Sequence, residues 1–324
     1  MYLRQASASD ELSAMVLNQL YKYAPVFNYL HFFSAPGAGT TERYGDDIDG
    51  TFDNRPIGED FASQTLAPNY GTFALKIMGK NIKLDTAYEE RGGDVPSEFK
   101  LKLSNWGENA GRDFMNKVIN DDSDDDDGGD PAVSEYHFDG LKAIIADQVS
   151  AGDTSRIVSA GTNGLALVLG NDNTARTAAQ KAIEKIEELI ASIDGSPDCL
   201  IMDHTLLSRL RSMDKERFSV VTNADGTRTG AFDGLPIIPA SRKYNGDRII
   251  PYDETVGTAT TCTSVYAFKS AEKAHLSAMT TTKGFNISPM QKVGNFYQVT
   301  PQLQLDIQPL AKRCVARLKG FYLG

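Results

Sequence analysis

Residues 182–214 read AIEKIEELIASIDGSPDCLIMDHTLLSRLRSMD, and the hydrophobic period changes twice within them. Ile183, Ile186, Ile190 and Ile193 recur at spacings of three and four, which places them on one stripe of a helix. That helix opens upstream at Asp172 to Thr174, where short polar side chains can cap it, and Gly195 is its stop. CLIMD, 199–203, is a compact apolar run of strand length and is expected as a short buried strand. Asp203 then caps a second helix, HTLLSRLRSM, so helix, strand and helix follow in immediate succession.

Downstream, FDGLPIIPA joins a turn to a short strand, and SVYAFKSAEKAHLSAM reads as a strand leading into a polar bend. The final FYQVTPQLQLDIQPLAKRCVARLKGFYL alternates apolar and polar residues and should supply the last sheet strands. Upstream, YHFDGLKAIIAD (136–147) starts a compact apolar segment with Phe138, Leu141, Ile144 and Ile145. It follows NDDSDDDDGGDP, an acidic run that repels itself and stays solvated, so a loop is expected between two folded pieces.

Before that loop, VPSEFKLKLSNWGENAGRDFMNKVIN repeats Phe99, Leu103, Trp106, Ala110, Phe114 and Val118 at helical spacing behind a capping Ser97. One long helix of roughly 35 Å follows at about 1.5 Å per residue. Its Gly107 and Gly111 cost about 1 kcal/mol each in a helix interior, which points to bending or a close backbone approach. Residues 35–84 begin rich in Gly, Pro, Asp and Thr without a period; only TFALKIMGKNIKLD alternates, with Phe73, Leu75, Ile77 and Ile82, Leu84 read as a strand pair around Gly79. The N-terminal SASDELSAMVLNQLYKYAPVFNYLHFF is a short amphipathic arm, opened at Ser9 and Asp10, with Leu12, Met15, Val16 and Leu20 on one face until Pro25.

Composition excludes several classes. With 324 residues, 41% of them apolar, the chain can close about two cores. A net charge of −10 argues against tight sequence-independent binding to DNA or anionic lipid, both of which need a surplus of Lys and Arg. Cys199, Cys262 and Cys314 are odd in number and far apart, so buried thiols in a reducing compartment are expected and not a disulfide framework. The first residues lack a signal-peptide core, and no stretch approaches the roughly 20 apolar residues that span a bilayer.

Catalytic and ligand templates fail on spacing. There is no G-x-S-x-G elbow, GAGTTE departs from a dinucleotide fingerprint at its last glycine, and MGK (78–80) lacks the earlier glycine of a phosphate loop. His31, His137, His204 and His275 are scattered singly, without zinc-ligand spacing. Registering Gly128 at the sixth position of a calcium loop puts Ser123 first and Ser134 twelfth, where carboxylates are required. Asp203, His204 and Ser208 form no defensible nucleophile set, and Asp203 is read as a cap. No catalytic, cofactor-binding or metal residue is assigned, and no cofactor is expected.

The order of these segments resembles a tailed-bacteriophage major capsid protein of the Hong Kong 97-type fold. FDGLKAII, the helix–strand–helix run of 182–214, FDGLPIIP and the closing VARLKGFYL each look like phrases of that family. The resemblance implies an α+β fold with an N-terminal arm (1–34), an extended loop (35–84), a peripheral domain with a long spine helix (85–137, with 296–324) and an axial domain (138–295). It implies a spine-helix core of Phe99, Leu103, Trp106 and Phe114, and an axial core of Phe138, Leu141, Ile183, Ile186 and Ile190. It further implies self-assembly as pentamers and hexamers into an icosahedral virion shell, built in the host cytoplasm. The shell would enclose DNA without sequence-specific binding and without a membrane, with a portal and decoration proteins as partners. Met1 stands too close to the arm for a long scaffolding segment, so a separate scaffold protein is expected. An arm and loop that cannot bury themselves fit a subunit completed by neighbours. An encapsulin-like nanocompartment shell is the alternative within the fold; an enzyme with an unrecognised site is the alternative outside it.

Overall fold

The computed structural model describes residues 11–34, 39–46, 68–123, 137–170, 172–222 and 228–323. The acidic stretch 124–130 and most of the glycine-rich half of the 35–84 segment lie outside them.

The long helix is real and slightly longer than its apolar repeat: α2 runs Val95–Asn120, after α1 at Glu11–Tyr23. Its cap is Asp94, whose carboxylate accepts from the Ser97 N–H and, at 2.5 Å, from the Ser97 hydroxyl, so Ser97 is the partner and not the cap. Gly107 and Gly111 face α1. A Cβ at Gly107 would stand 3.2 Å from Val16 Cγ1, and one at Gly111 would stand 3.0 Å from Tyr23 Cβ and 3.2 Å from the Leu20 carbonyl oxygen. The helix-propensity cost of the two glycines is offset by letting a second backbone lie in the notch.

That packing corrects the reading of the arm. Val16, Leu17 and Leu20 are buried, as are Val26 and Phe27 beyond Pro25, and all share a core with Phe99, Leu103 and Phe114. The Phe27 and Phe114 rings stack with centroids 4.1 Å apart at 8°. Residues 11–34 therefore complete the peripheral body of their own chain.

Among the described residues, four sheets organise the strands. A four-stranded peripheral sheet has the order β1 (Phe32–Ser34), β14 (Leu276–Ile287), β17 (Pro301–Pro309), β4 (Lys76–Gly79). A three-stranded sheet joins β15 (Gln291–Val293), β16 (Phe296–Val299) and β5 (Ile82–Asp85). A nine-stranded sheet follows the path β6 (Ile157–Ser159), β18 (Val315–Leu323), β13 (Ala259–Phe268), β8 (Cys199–Asp203), β11 (Leu235–Ala240), β10 (Arg228–Phe232), β9 (Phe218–Thr222). β7 (Leu165–Leu167) and β12 (Glu254–Val256) attach to β18 and β13. The remaining pair is β2 (Gly39–Asp46) with β3 (Pro68–Ala74).

CLIMD is continuously apolar because the nine-stranded sheet is covered on both faces. Cys199 and Ile201 join the peripheral core, while Leu200 and Met202 join a second core under α4 (Asn173–Ala191) and α5 (His204–Met213). Asp172 and Asp203 cap those helices, accepting from Ala175 N and Thr205 N at 2.8 Å each.

Three readings change. The strands 76–79 and 82–85 do not pair with each other around Gly79: β4 lies on β17 and β5 on β16, each finding its partner in the C-terminal half. The domain limits also move. β14, inside 138–295, belongs to the peripheral sheet, and β18, inside 296–324, belongs to the axial one. The reason is the number of buried faces. β18 puts Val315 into one core and Ala316 and Leu318 into the other, whereas β17 alternates apolar with polar and suits a sheet with one core face.

The core assignments divide similarly. Phe99, Leu103 and Phe114 are buried; Trp106 is half-buried against Phe285, with ring centroids 6.3 Å apart. Phe138 and Leu141 are buried, but in the peripheral core beside α2 through α3 (Leu141–Ser150) and not in the axial one. Ile186 is fully buried in the axial core, while Ile183 and Ile190 sit half-buried at its rim. Ala182 and Leu189 take the deeper positions, since a small residue lets the helix settle onto the sheet.

Candidate assembly surface

The β2/β3 ladder runs antiparallel from Gly39↔Ala74 to Asp46↔Pro68, with an irregularity between Arg43 and Asp46, and among the described residues joins no other sheet. Its root is anchored. Phe73 is 1% exposed, meeting Phe33 edge-on at 5.0 Å in a small cluster with Met279 and Leu310. A lone two-stranded ladder is marginal in water, and its outer edges are templates for a further strand.

Beside it, the peripheral body leaves a groove of about 300 Å³ between α2 and β4. Trp106, Ala110 and Asp113 line one wall, Met78 and Gly79 the other, and Tyr244 stands at the side, 80% exposed. β4 is an edge strand, and its Ile77 is 65% exposed. A second apolar hollow of about 310 Å³ lies toward the start of α2, among Leu12, Phe99, Ile287 and Met290. Val293 and Phe296 on β15 and β16 add exposed apolar area in the three-stranded sheet. Apolar surface gathered around closed cores is the signature of an interaction face. Trp106 and Ile77 were found by their periods; Tyr244 and Val293 were not, because a single apolar residue in a polar stretch carries no periodic signal.

The polar clusters hold structure together. Asp203 Oδ1 accepts from Arg248 Nη1 at 2.7 Å and from the Tyr252 hydroxyl at 3.0 Å, in addition to capping α5. Burial first, and then the Asp203 charge, raise the Tyr252 hydroxyl well above its ordinary value. The same 241–253 strap is held on α2 by Arg112 Nη1 donating to the Arg242 carbonyl at 3.1 Å and Asn120 Nδ2 donating to the Ile249 carbonyl at 2.8 Å. Ser264 donates to Glu254 and accepts from Arg317 Nε at 2.9 Å, and it is fully buried. The three cysteines are buried and unpaired in disulfides; burial raises each thiol, which removes thiolate character. Burial lowers the half-buried His275, and His204 is exposed. Among the described residues, no group of three His, Cys, Asp or Glu side chains is arranged to hold a metal ion. No helix among them is long and apolar enough to cross a membrane.

The end of α2 and the start of α3 are clasped together. His137 Nδ1 meets Asp121 Oδ1 at 2.9 Å, Gly140 N–H donates to the Asp121 carbonyl at 2.8 Å, and Ser123 N–H donates to Asp139 at 2.9 Å.

No family model and no curated protein matches the chain by sequence. Its fold is matched by solved shells. The encapsulin of the holo-SrpI complex from Synechococcus elongatus aligns over 92% of this chain and 87% of its own, with a TM-score of 0.58 at 11% identity. The capsid of a native GTA particle aligns over 93% and 91%, at 0.55 and 10%. Mycobacterium phage Bobi aligns over 93% and 91%, at 0.54 and 11%. The architecture is the Hong Kong 97-type fold, with helix and strand mixed in one α+β chain.

Proposed function

We propose that the chain is the major capsid protein of a tailed double-stranded DNA bacteriophage, assembling as pentamers and hexamers into an icosahedral shell around the genome. The observation that carries this reading is the pairing of two closed cores with a β2/β3 ladder that, among the described residues, pairs with no further strand. A neighbour's surface supplies what the ladder lacks, and the groove at Trp106 and the open edge of β4 are surfaces of the right kind. The net charge of −10 suits a lining that contains DNA without gripping it. Asp203, Arg248, Glu254 and Arg317 are engaged in a cap and ion pairs, which supports a structural role for them over catalysis. A separate scaffold, a portal and decoration proteins belong to the same proposal, as does assembly in the host cytoplasm.

An encapsulin-like nanocompartment has one observation in its favour, the higher TM-score against an encapsulin (0.58) than against Mycobacterium phage Bobi (0.54). Electron microscopy of the purified protein, with nucleic-acid and protein content measured on the same particles, separates the readings. Closed shells that hold DNA when isolated from their natural source support the phage capsid. Shells holding a protein cargo favour the nanocompartment, and a small monodisperse oligomer overturns both.

A further inference from the structure

β17 alternates. Leu303, Leu305 and Ile307 enter the peripheral core, which assigns Gln304, Asp306 and Gln308 to the opposite face. Asp306 should meet water there, yet it is 1% exposed. Its cover is the root of the β2/β3 ladder. The strand register sets Phe33, Met279 and Asp306 in one row across β1, β14 and β17. Phe73 packs on Phe33 and Met279, and the next residue, Ala74, donates its N–H to Asp306 Oδ2 at 2.8 Å. Asp306 Oδ1 accepts the Ile307 N–H at 2.9 Å, and Gln308 Nε2 stands 3.5 Å from Oδ2. The neighbouring strands offer little charge: Met279 on β14, Phe33 on β1 and Ala74 on β3 do not titrate, and Lys76 on β4 is the weakest of the influences on the carboxyl.

We propose that Asp306 is a proton-operated clasp for this ladder: as the neutral acid it lets Phe73 and Ala74 close over it, and as the carboxylate it favours an open root. A carboxylate sealed beneath the ladder root loses its water and keeps only the N–H donors just described, so its charged form is penalised. Burial accordingly pushes the Asp306 carboxyl up to about 6, with the N–H donors of Ala74 and Ile307 and the Gln308 amide opposing. An opened root would return it to the ordinary value near 4. The closed root therefore binds the proton more tightly. Closure is fully favoured below about pH 4 and is lost progressively as pH rises through about 6, leaving the closed-to-open ratio about fiftyfold lower at pH 7.5 than at pH 4. The inference rests on the fold and not on the shell reading, so either can fail without the other.

The test is hydrogen exchange on the purified full-length chain, following peptides across residues 72–79 and correcting for the intrinsic chemical rate at each pH. Protection should fall about fiftyfold between pH 4 and pH 7.5, and Asp306→Asn, uncharged throughout, should abolish the fall. Equal protection at both pH values in the wild type overturns the proposal, as does a fall that persists in Asp306→Asn. If that variant does not fold, the carboxyl carbon of Asp306 is followed by NMR in the wild type: titration near pH 6 supports the clasp, and titration below about 4.5 overturns it.

Discussion

The seam between α1 and α2 and the ladder of β2 and β3 both lie between Glu11 and Asn120, and they treat their surroundings in opposite ways. At the seam, Gly107 and Gly111 open a notch, Leu20 and Tyr23 lie in it, and Arg112 closes the end by packing over the Tyr23 ring at 4.7 Å while pairing with Glu108 at 2.9 Å. Everything needed to bury that surface is present in one chain. The ladder is anchored at its root through the buried Phe73 and the Ala74 N–H on Asp306. On the proposed reading, the difference separates what the chain folds for itself from what it offers to a neighbour.

The contrast is most easily broken at the seam's centre. Phe114→Ala removes the ring stacked on Phe27 and opens a cavity in the peripheral core. It should cost about 4 kcal/mol in chemical denaturation. A loss under about 1 kcal/mol would mean the seam is not a true core. Gly111→Leu fills the notch, pressing on Tyr23 Cβ and the Leu20 carbonyl, and should cost about 3 kcal/mol despite the better helix former. A stabilised variant would show that α1 is free to move aside.

Trp106→Ala sharpens the comparison from the other side, because Trp106 is half-buried and lines the groove beside β4. Removing it should cost only about 1–2 kcal/mol in the isolated subunit, less than a full core aromatic. Its larger effect should be on assembly, read by sedimentation. A variant destabilised as severely as Phe114→Ala would return Trp106 to the core.

Legibility in the sequence follows the same division. The 173–213 region was readable because its signals are local: Asp172 and Asp203 cap, Gly195 stops at φ +79°, and CLIMD is apolar on both faces because both faces are covered. Gly107 and Gly111 announced a close approach without naming its partner. What was lost depends on distant pairing. Nothing in KIMG or IKLD says that the first lies on residues 302–305 and the second on 296–299, so a turn between them looked sufficient. The arm looked unfinished for the same reason, since its apolar stripe is completed by a helix some eighty residues away. Of the candidate surface, Trp106 had a period to betray it. Tyr244 and Val293 are apolar residues in exposed places, recognisable only once the cores around them are closed.

The central claim is that the ladder serves a neighbouring subunit while the rest of the chain folds without it. The direct measurement replaces residues 41–71 with a short Gly/Ser linker, which spares Phe73, Ala74 and strands β4 and β5, and follows circular dichroism and sedimentation on the same preparation. Loop closure costs little and no core stripe is touched, so a folded small oligomer with the wild-type spectrum is the expected result. Intact shells, or an unfolded chain, would contradict the account.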